Sequence, residues 1–234
     1  MRRPYFGTGN RNGTGFFRTR LGQGLDMAER FEEQPTLAAD LEVTLRFRLL
    51  GILPLAFFLA QAIHYWRFGQ FGNMLWMCNI GNLAMAIGIL ADQRSLIRLA
   101  AVWTIPGLFI WFWYVVMQHE VFATSTLAHV GGVIVGMVAL NIIRVDRWTW
   151  LYAFGWYLAL QFVSRWVTPP DLNVNAAHHV YSGWQQIFNA YWKFWLVMSL
   201  VVALGLWFLG LVLGKLWPVG ETGFAVRLPR QVAR

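Results

Sequence analysis

Apolar residues follow one another in six long runs between residues 48 and 215, and short polar gaps separate the runs. Each run has about the 20 residues that a helix needs to cross the hydrocarbon core of a bilayer. Lipid offers the backbone no hydrogen-bond partner, so the runs are expected to be helices. The pattern predicts an all-α polytopic membrane bundle of about six transmembrane helices, with spans at 48–66, 71–91, 97–117, 122–143, 148–167 and 194–215.

The composition agrees with a membrane protein. Hydrophobic residues make up 57% of the 234-residue chain and charged residues only 13%, against about 25% charged residues in a soluble domain. The single cysteine, Cys78, excludes an internal disulfide and a multi-cysteine metal site, and no other metal motif is found. No nucleic-acid-binding motif accompanies the net charge of +8.

Basic residues are distributed unevenly across the predicted membrane. Sixteen of the 19 Lys and Arg residues lie on one side, in the two tails and the turns at 92–98 and 144–147, and only Arg67, Arg165 and Lys193 lie on the other. Basic loops stay in the cytoplasm. We therefore expect a multi-pass protein of the bacterial inner membrane with both termini cytoplasmic.

The chain divides into three parts by composition. Residues 1–46 form a Gly/Arg-rich N-terminal extension, residues 47–216 the bundle, and residues 217–234 a basic C-terminal tail. The first 24 residues have no helical or strand periodicity and no core of their own. We expect this extension to bind neighbouring membrane subunits through its basic and aromatic side chains, which are Arg2, Arg3, Tyr5, Phe6, Phe16, Phe17 and Arg18.

Small residues and tryptophans mark the helix surfaces. Small residues four apart let helix backbones approach closely, and this spacing predicts helix contacts at Ala128, Gly132, Gly136, Gly210 and Gly214, as at Ala84 and Gly88. Many of the 14 Trp residues stand at span ends, which is typical of an interfacial aromatic belt. The dense run 111–114 either faces lipid in the same way or stacks on a pigment, quinone or lipid.

Two chemically active side chains fall inside the predicted membrane. Spans two and four both begin on the outer side, with Cys78 and His129 each about two turns in. The two side chains are therefore expected at similar depth. Ionisable residues inside a membrane usually face the bundle and are functional candidates. Cys78 and His129 are either a nucleophile and its base or a small buried thiol and a histidine that links helices.

The same residues carry a resemblance to a known family. LWMCNIGNLA (75–84), DQRSLIRLAAVWTIPGL (92–108) and STLAHVGGVIVG (125–136) resemble the YwaF-type bacterial integral membrane proteins over about residues 55–185. That family is related to a transmembrane acyltransferase that uses a cysteine. The resemblance implies that Cys78 and His129 match the family's cysteine and histidine. In DLNVNAAH (171–178), Asn173 or Asn175 matches the family's Asn-Tyr motif without its Tyr, and the polar extension replaces the first of seven family spans.

The remaining histidines cluster on the predicted outer side. A neutral imidazole can ligate a haem or a bacteriochlorophyll, so His64, His119, His178 and His179 are candidate cofactor-binding residues. They are also the kind of interfacial residue that simply faces water. The cofactor is unknown from sequence, and the candidates at the periphery are lipid, quinone, (bacterio)chlorophyll or carotenoid.

Two classes of function fit these observations. The first, which we favour on sequence alone, is a non-catalytic accessory subunit of a larger photosynthetic or respiratory membrane complex. The second is a membrane acyltransferase that uses Cys78 with His129. A transporter is less well supported, since no Asp, Glu, Lys or Arg lies near the middle of a span to couple ions.

Overall fold

The structure is a computed structural model, and it describes residues 45–119 and 121–217. These residues form six helices and contain no strand. The helices are α1 Ile52–Arg67, α2 Met77–Leu90, α3 Arg94–Gln118, α4 Ala123–Ile142, α5 Thr149–Val167 and α6 Tyr191–Leu216. Three short 3-10 turns join them, at Phe71–Leu75, Pro170–Leu172 and Val174–Ala176. The N-terminal extension, its proposed partner-binding residues and the C-terminal tail beyond Trp217 lie outside the described residues.

The six helices confirm the predicted all-α bundle, and except at the start of the second their ends agree with the predicted spans to within a few residues. Four segments are long and apolar enough to cross a membrane, namely Leu45–Arg67, Arg94–Met117, Ala123–Ile142 and Tyr191–Leu216. The two others are less typical. Helix α2 has only 14 residues, about 21 Å at 1.5 Å per residue, and α5 carries Gln161, Ser164 and Arg165 along its last two turns.

The second predicted span is wrong in one respect that matters for the site. It is not one helix over 71–91, because the backbone at Trp76 is extended, with φ −54° and ψ 136°, between the 3-10 turn and α2. Cys78 is therefore the second residue of α2 rather than two turns inside a helix. The break persists because one distant side chain, that of Asn175, bonds the backbone on both sides of Trp76.

The tightest packing lies where α2, α3 and α4 meet. Met85, Ile89, Ile97 and Leu140 are completely buried there. Small residues make the close approach possible, since a Cβ atom built at Gly88 would lie 2.8 Å from Ile97 Cγ1. Burial of this apolar surface against matching shapes holds the three helices in fixed register.

The predicted small-residue contacts hold for α4 and only partly for α6. Ala128 is buried, and a Cβ atom at Gly132 would meet Asn82 Oδ1 at 2.7 Å. At Gly136 it would meet Met85 and Thr104 at 3.2 Å. On α6, Gly210 lies in ordinary contact with Trp150, but nothing lies within 4 Å of a Cβ at Gly214. The predicted helix contact at Gly214 therefore has no support among the described residues and stays a prediction.

Candidate functional site

A cavity of about 550 Å³ opens between α1, α3, α4 and the start of α2. This volume is within the range of small-molecule sites. Six of the fourteen residues in the wall are aromatic, namely Tyr65, Phe68, Trp76, Trp111, Tyr114 and Phe122. Among the described residues no Asp, Glu, Lys or Arg lines it. The described wall therefore combines aromatic rings with neutral polar side chains.

Cys78 and His129 both line this cavity. Gly107 of α3 lies between them, since a Cβ atom built there would be 3.3 Å from Cys78 Cβ and 3.8 Å from His129 Cδ2. The distance between Cys78 Cβ and His129 Cδ2 therefore cannot exceed the sum of 3.3 and 3.8 Å. A glycine at this position lets the backbone of α3 approach both side chains.

The imidazole of His129 is oriented by its own helix. Its Nδ1 donates a hydrogen bond of 2.7 Å to the carbonyl oxygen of Ser125, so the hydrogen is on Nδ1 and Nε2 keeps its lone pair. The ring stacks on Trp111, with centroids 5.8 Å apart and an angle of 18° between planes. Cδ2, which is bonded to Nε2, is the ring atom nearest to Gly107. Nε2 is thus the ring nitrogen that can act as a base.

His129 lies in a π-helical turn, Leu127–Gly131, within α4. Such turns are rare and occur often at functional sites. Asn82 stabilises this one from α2, because its Nδ2 donates both to Cys78 O and to Ala128 O at 2.9 Å. One amide therefore links the backbone of the thiol-bearing residue to the turn that carries the imidazole.

The start of α2 is held by a distant segment, residues 168–180, which we name the capping loop. Asn175 Oδ1 accepts from Met77 N at 3.1 Å, and its Nδ2 donates to Leu75 O at 2.8 Å and to Ser164 Oγ at 3.0 Å. These bonds satisfy the backbone on both sides of Trp76, which explains the break there. Met77 directly precedes Cys78, so Asn175 fixes where the thiol-bearing helix begins.

The capping loop is itself held by a dense set of hydrogen bonds. Asn173 Oδ1 accepts from the backbone N–H groups of His178 and His179. Gln161 Nε2 donates to Asn175 O at 3.0 Å, and Arg165 donates to Ala177 O at 2.7 Å. Asn173 and Asn175 both have left-handed backbones, at φ 41° and 54°, a conformation that asparagine tolerates better than most residues. The loop is therefore a fixed support rather than a free connection.

Gln61 was missed by sequence reasoning. It lies on α1, is 2% exposed and lines the cavity, and its Oε1 has no hydrogen-bond partner among the described residues. Buried polar atoms are nearly always paired. The sequence does contain a signal for Gln61, because an amide side chain stands in the middle of an apolar span, three residues before His64.

The four histidines proposed for a cofactor do not line a common site. Only His64 lines the cavity, where its ring contacts Phe68 and Phe122. His119 ends α3 in a left-handed conformation. His178 Nε2 lies 3.1 Å from Thr168 Oγ1, and the backbone of His179 bonds Asn173. Among the described residues no group of three or more His, Cys, Asp or Glu could hold a metal ion.

The aromatic run at 111–114 divides between two environments. Trp111 and Tyr114, three residues apart on one helix face, line the cavity. Phe112 and Trp113 are exposed on the outer surface of the bundle. The inner pair could contact a bound molecule in the cavity and the outer pair the bilayer, so both interpretations of the run stay predictions.

No family model, curated protein or solved structure matches the chain. The resemblance to the YwaF-type proteins therefore stays a prediction that depends on its motifs.

Proposed function

We propose that this protein is a membrane-embedded acyltransferase that carries the acyl group on the thiol of Cys78. The observation that supports this best is that Cys78 and His129, whose Nε2 keeps its lone pair, line one cavity beside Gly107. A thiol beside a basic imidazole that is oriented by a third group is the usual arrangement for nucleophilic catalysis. The sequence alone favours the accessory subunit, whereas a cavity that both Cys78 and His129 line favours the enzyme.

The chemistry follows from the two side chains. His129 Nε2 takes the thiol proton as the sulfur of Cys78 attacks the carbonyl carbon of an acyl ester. A carbon–sulfur bond forms, the ester carbon–oxygen bond breaks, and the proton passes from His129 to the leaving alcohol. In the second half an acceptor hydroxyl attacks the thioester, its proton moves through His129 to the sulfur, and the thiol is regenerated.

The lone cysteine makes this proposal simple to test. Purified protein in detergent would be incubated with p-nitrophenyl octanoate and its intact mass measured. We expect one octanoyl adduct that hydroxylamine removes, as a thioester requires, and no adduct on Cys78→Ala. Equal thermal stability of the two proteins would show that the variant is folded. A stable wild-type protein without a hydroxylamine-sensitive adduct would contradict the proposal.

We propose also that the chain lies in the bacterial inner membrane with both ends in the cytoplasm, on the strength of the basic-residue asymmetry. Ser182, an exposed residue after α5, offers a test. In a Cys78→Ala background, Ser182→Cys should react with an impermeant maleimide added outside spheroplasts. Reaction only after the membrane is opened would reverse the orientation.

The accessory-subunit function stays a prediction, because it depends on residues 1–24, outside the described residues. Deleting residues 2–24 should leave the bundle folded and reduce co-purification of partner subunits. An unchanged set of partners would exclude that role.

A further inference from the structure

We propose that the cavity binds an uncharged lipid alcohol, whose hydroxyl group donates a hydrogen bond to the carboxamide oxygen of Gln61. The inference rests on the proposed function only in naming this alcohol as the acyl acceptor. The binding site itself is argued from the unpaired amide, the absence of charge in the wall, and the surface at which the cavity opens.

Gln61 supplies the polar end of the site. Its side chain lines the cavity and is almost completely buried, yet Oε1 has no partner among the described residues. An unpaired buried acceptor is costly, and a ligand donor would remove that cost. By contrast Gln70, which lines the same cavity from an exposed position, has its Oε1 paired with Asn73 Nδ2 at 3.3 Å. The free acceptor at Gln61 calls for an O–H or N–H group on the ligand.

The wall of the cavity selects against a charged ligand. A phosphate or carboxylate brought into a buried site needs a charged partner or a metal, and among the described residues the lining contains no Lys or Arg. The same absence of Asp and Glu disfavours a protonated amine. A neutral hydroxyl is the donor that suits both Gln61 and this wall.

The opening faces the lipid-exposed surface of the bundle. Phe68, Ile110 and Phe122 line the cavity and are also exposed on the outside of the protein. Ile110 lies within α3, one of the segments apolar enough to span a membrane. A ligand with acyl chains can therefore leave its chains in the bilayer while its hydroxyl group reaches the polar end. In the transfer step the hydroxyl oxygen forms the new ester bond, the bond to Cys78 sulfur breaks, and the proton moves through His129 to the sulfur.

The test measures binding without turnover. Tritiated 1,2-dioctanoylglycerol bound to purified protein would be displaced by unlabelled dioctanoylglycerol, by its O-methyl ether, or by dioctanoyl phosphatidic acid. The alcohol should displace at a concentration about tenfold or more below that of the ether, since the ether lacks the hydrogen that Gln61 accepts. Phosphatidic acid should be the weakest competitor. Equal displacement by alcohol and ether, or stronger displacement by phosphatidic acid, would overturn the inference.

Two glutamine variants test whether Gln61 is the residue that makes the protein prefer the alcohol to the ether. Gln61→Met keeps the size of the side chain and removes the acceptor, and it should bind alcohol and ether alike. Gln70→Met, the matched control in the same cavity, should keep the wild-type preference. A preference that survives Gln61→Met, or that Gln70→Met abolishes, would contradict the assignment. The comparison of alcohol with ether on the wild-type protein decides the inference even if a variant fails to fold.

Cys78→Ala separates this inference from the proposed function. It should bind the alcohol with the wild-type preference although it cannot be acylated. If the wild-type protein prefers the alcohol to the ether but is not acylated at Cys78, the lipid-alcohol site is supported and the acyltransferase function is refuted. If Cys78 is acylated but the protein binds alcohol and ether alike, the acyltransferase function is supported and the lipid-alcohol site is refuted.

Discussion

Two groups of polar side chains lie inside this apolar bundle, and they differ in whether their hydrogen-bonding atoms have partners. In the capping loop, Asn173 and Asn175 each make three side-chain hydrogen bonds. At the cavity, Gln61 Oε1 has no partner among the described residues, and His129 uses Nδ1 to fix its ring while Nε2 remains available. Paired polar groups stabilise a structure, whereas unpaired ones are retained where a ligand or a reaction needs them.

This difference predicts that substitutions in the two groups will affect reaction rate and thermal stability in opposite proportions. Changes at the cavity should reduce chemistry and leave thermal stability nearly unchanged. Changes in the capping loop should first reduce stability, and reduce chemistry only through the position of α2.

The largest effect is expected at His129. Replacing it with Ala removes the base, so transfer of an octanoyl group through Cys78 should slow by about 10²- to 10⁴-fold, while the melting temperature in detergent changes little. Single-turnover acylation followed by mass spectrometry measures the rate. His64→Ala is the matched control, because His64 lines the same cavity and its ring contacts Phe68 and Phe122 rather than Gly107. Equal losses in both variants would refute the role of His129 as base.

The next effect is expected at Asn175, and it should appear in stability. Asn175→Ala leaves Met77 N and Leu75 O without their partners, at a cost of about 1–3 kcal/mol for each buried group. Thermal unfolding in detergent would report it, and slower acylation of Cys78 should accompany the loss. Asn175→Asp, which keeps the acceptor and loses the donors, should fall between Ala and wild type.

Asn189 provides the control for that series. It is exposed and its Oδ1 accepts only from Lys193 Nζ, so Asn189→Ala should change the stability by no more than about 0.5 kcal/mol. A melting temperature unchanged in Asn175→Ala would mean that the capping loop is not what holds the start of α2.

The sequence was sufficient for the bundle because hydrophobic run length is a strong, local property. It also predicted Cys78 and His129 at similar depth, since both spans begin on the same expected side, and both line one cavity. It did not show the break at Trp76, which depends on Asn175, 98 residues after Met77. Long-range side-chain bonds of this kind leave no periodic trace in a sequence.

Gln61 illustrates a different limit. A single amide in an apolar span is visible in the sequence, but its importance depends on an atom that lacks a partner, and pairing is known only once neighbouring helices are in place. The histidines show the converse: four residues near one predicted membrane face looked like a cluster, and only His64 reaches the cavity.

The smallest effect on stability, and the sharpest separation of stability from chemistry, is expected at Gly107. Ala is favoured over Gly in a helix by about 1 kcal/mol, but a Cβ here would lie 3.3 Å from Cys78 Cβ, so the two effects should nearly cancel in the free energy of unfolding. The methyl group would nonetheless press on Cys78 Cβ and lie 3.8 Å from the ring of His129, and acylation should slow by about tenfold or more, since small displacements of reacting groups are costly. Gly155→Ala is the control, because nothing lies within 4 Å of a Cβ there; it should gain the helical preference and keep the full rate. If Gly107→Ala acylates as fast as Gly155→Ala, then Cys78 and His129 do not act across Gly107, and the cavity would be a place where molecules bind without being transformed.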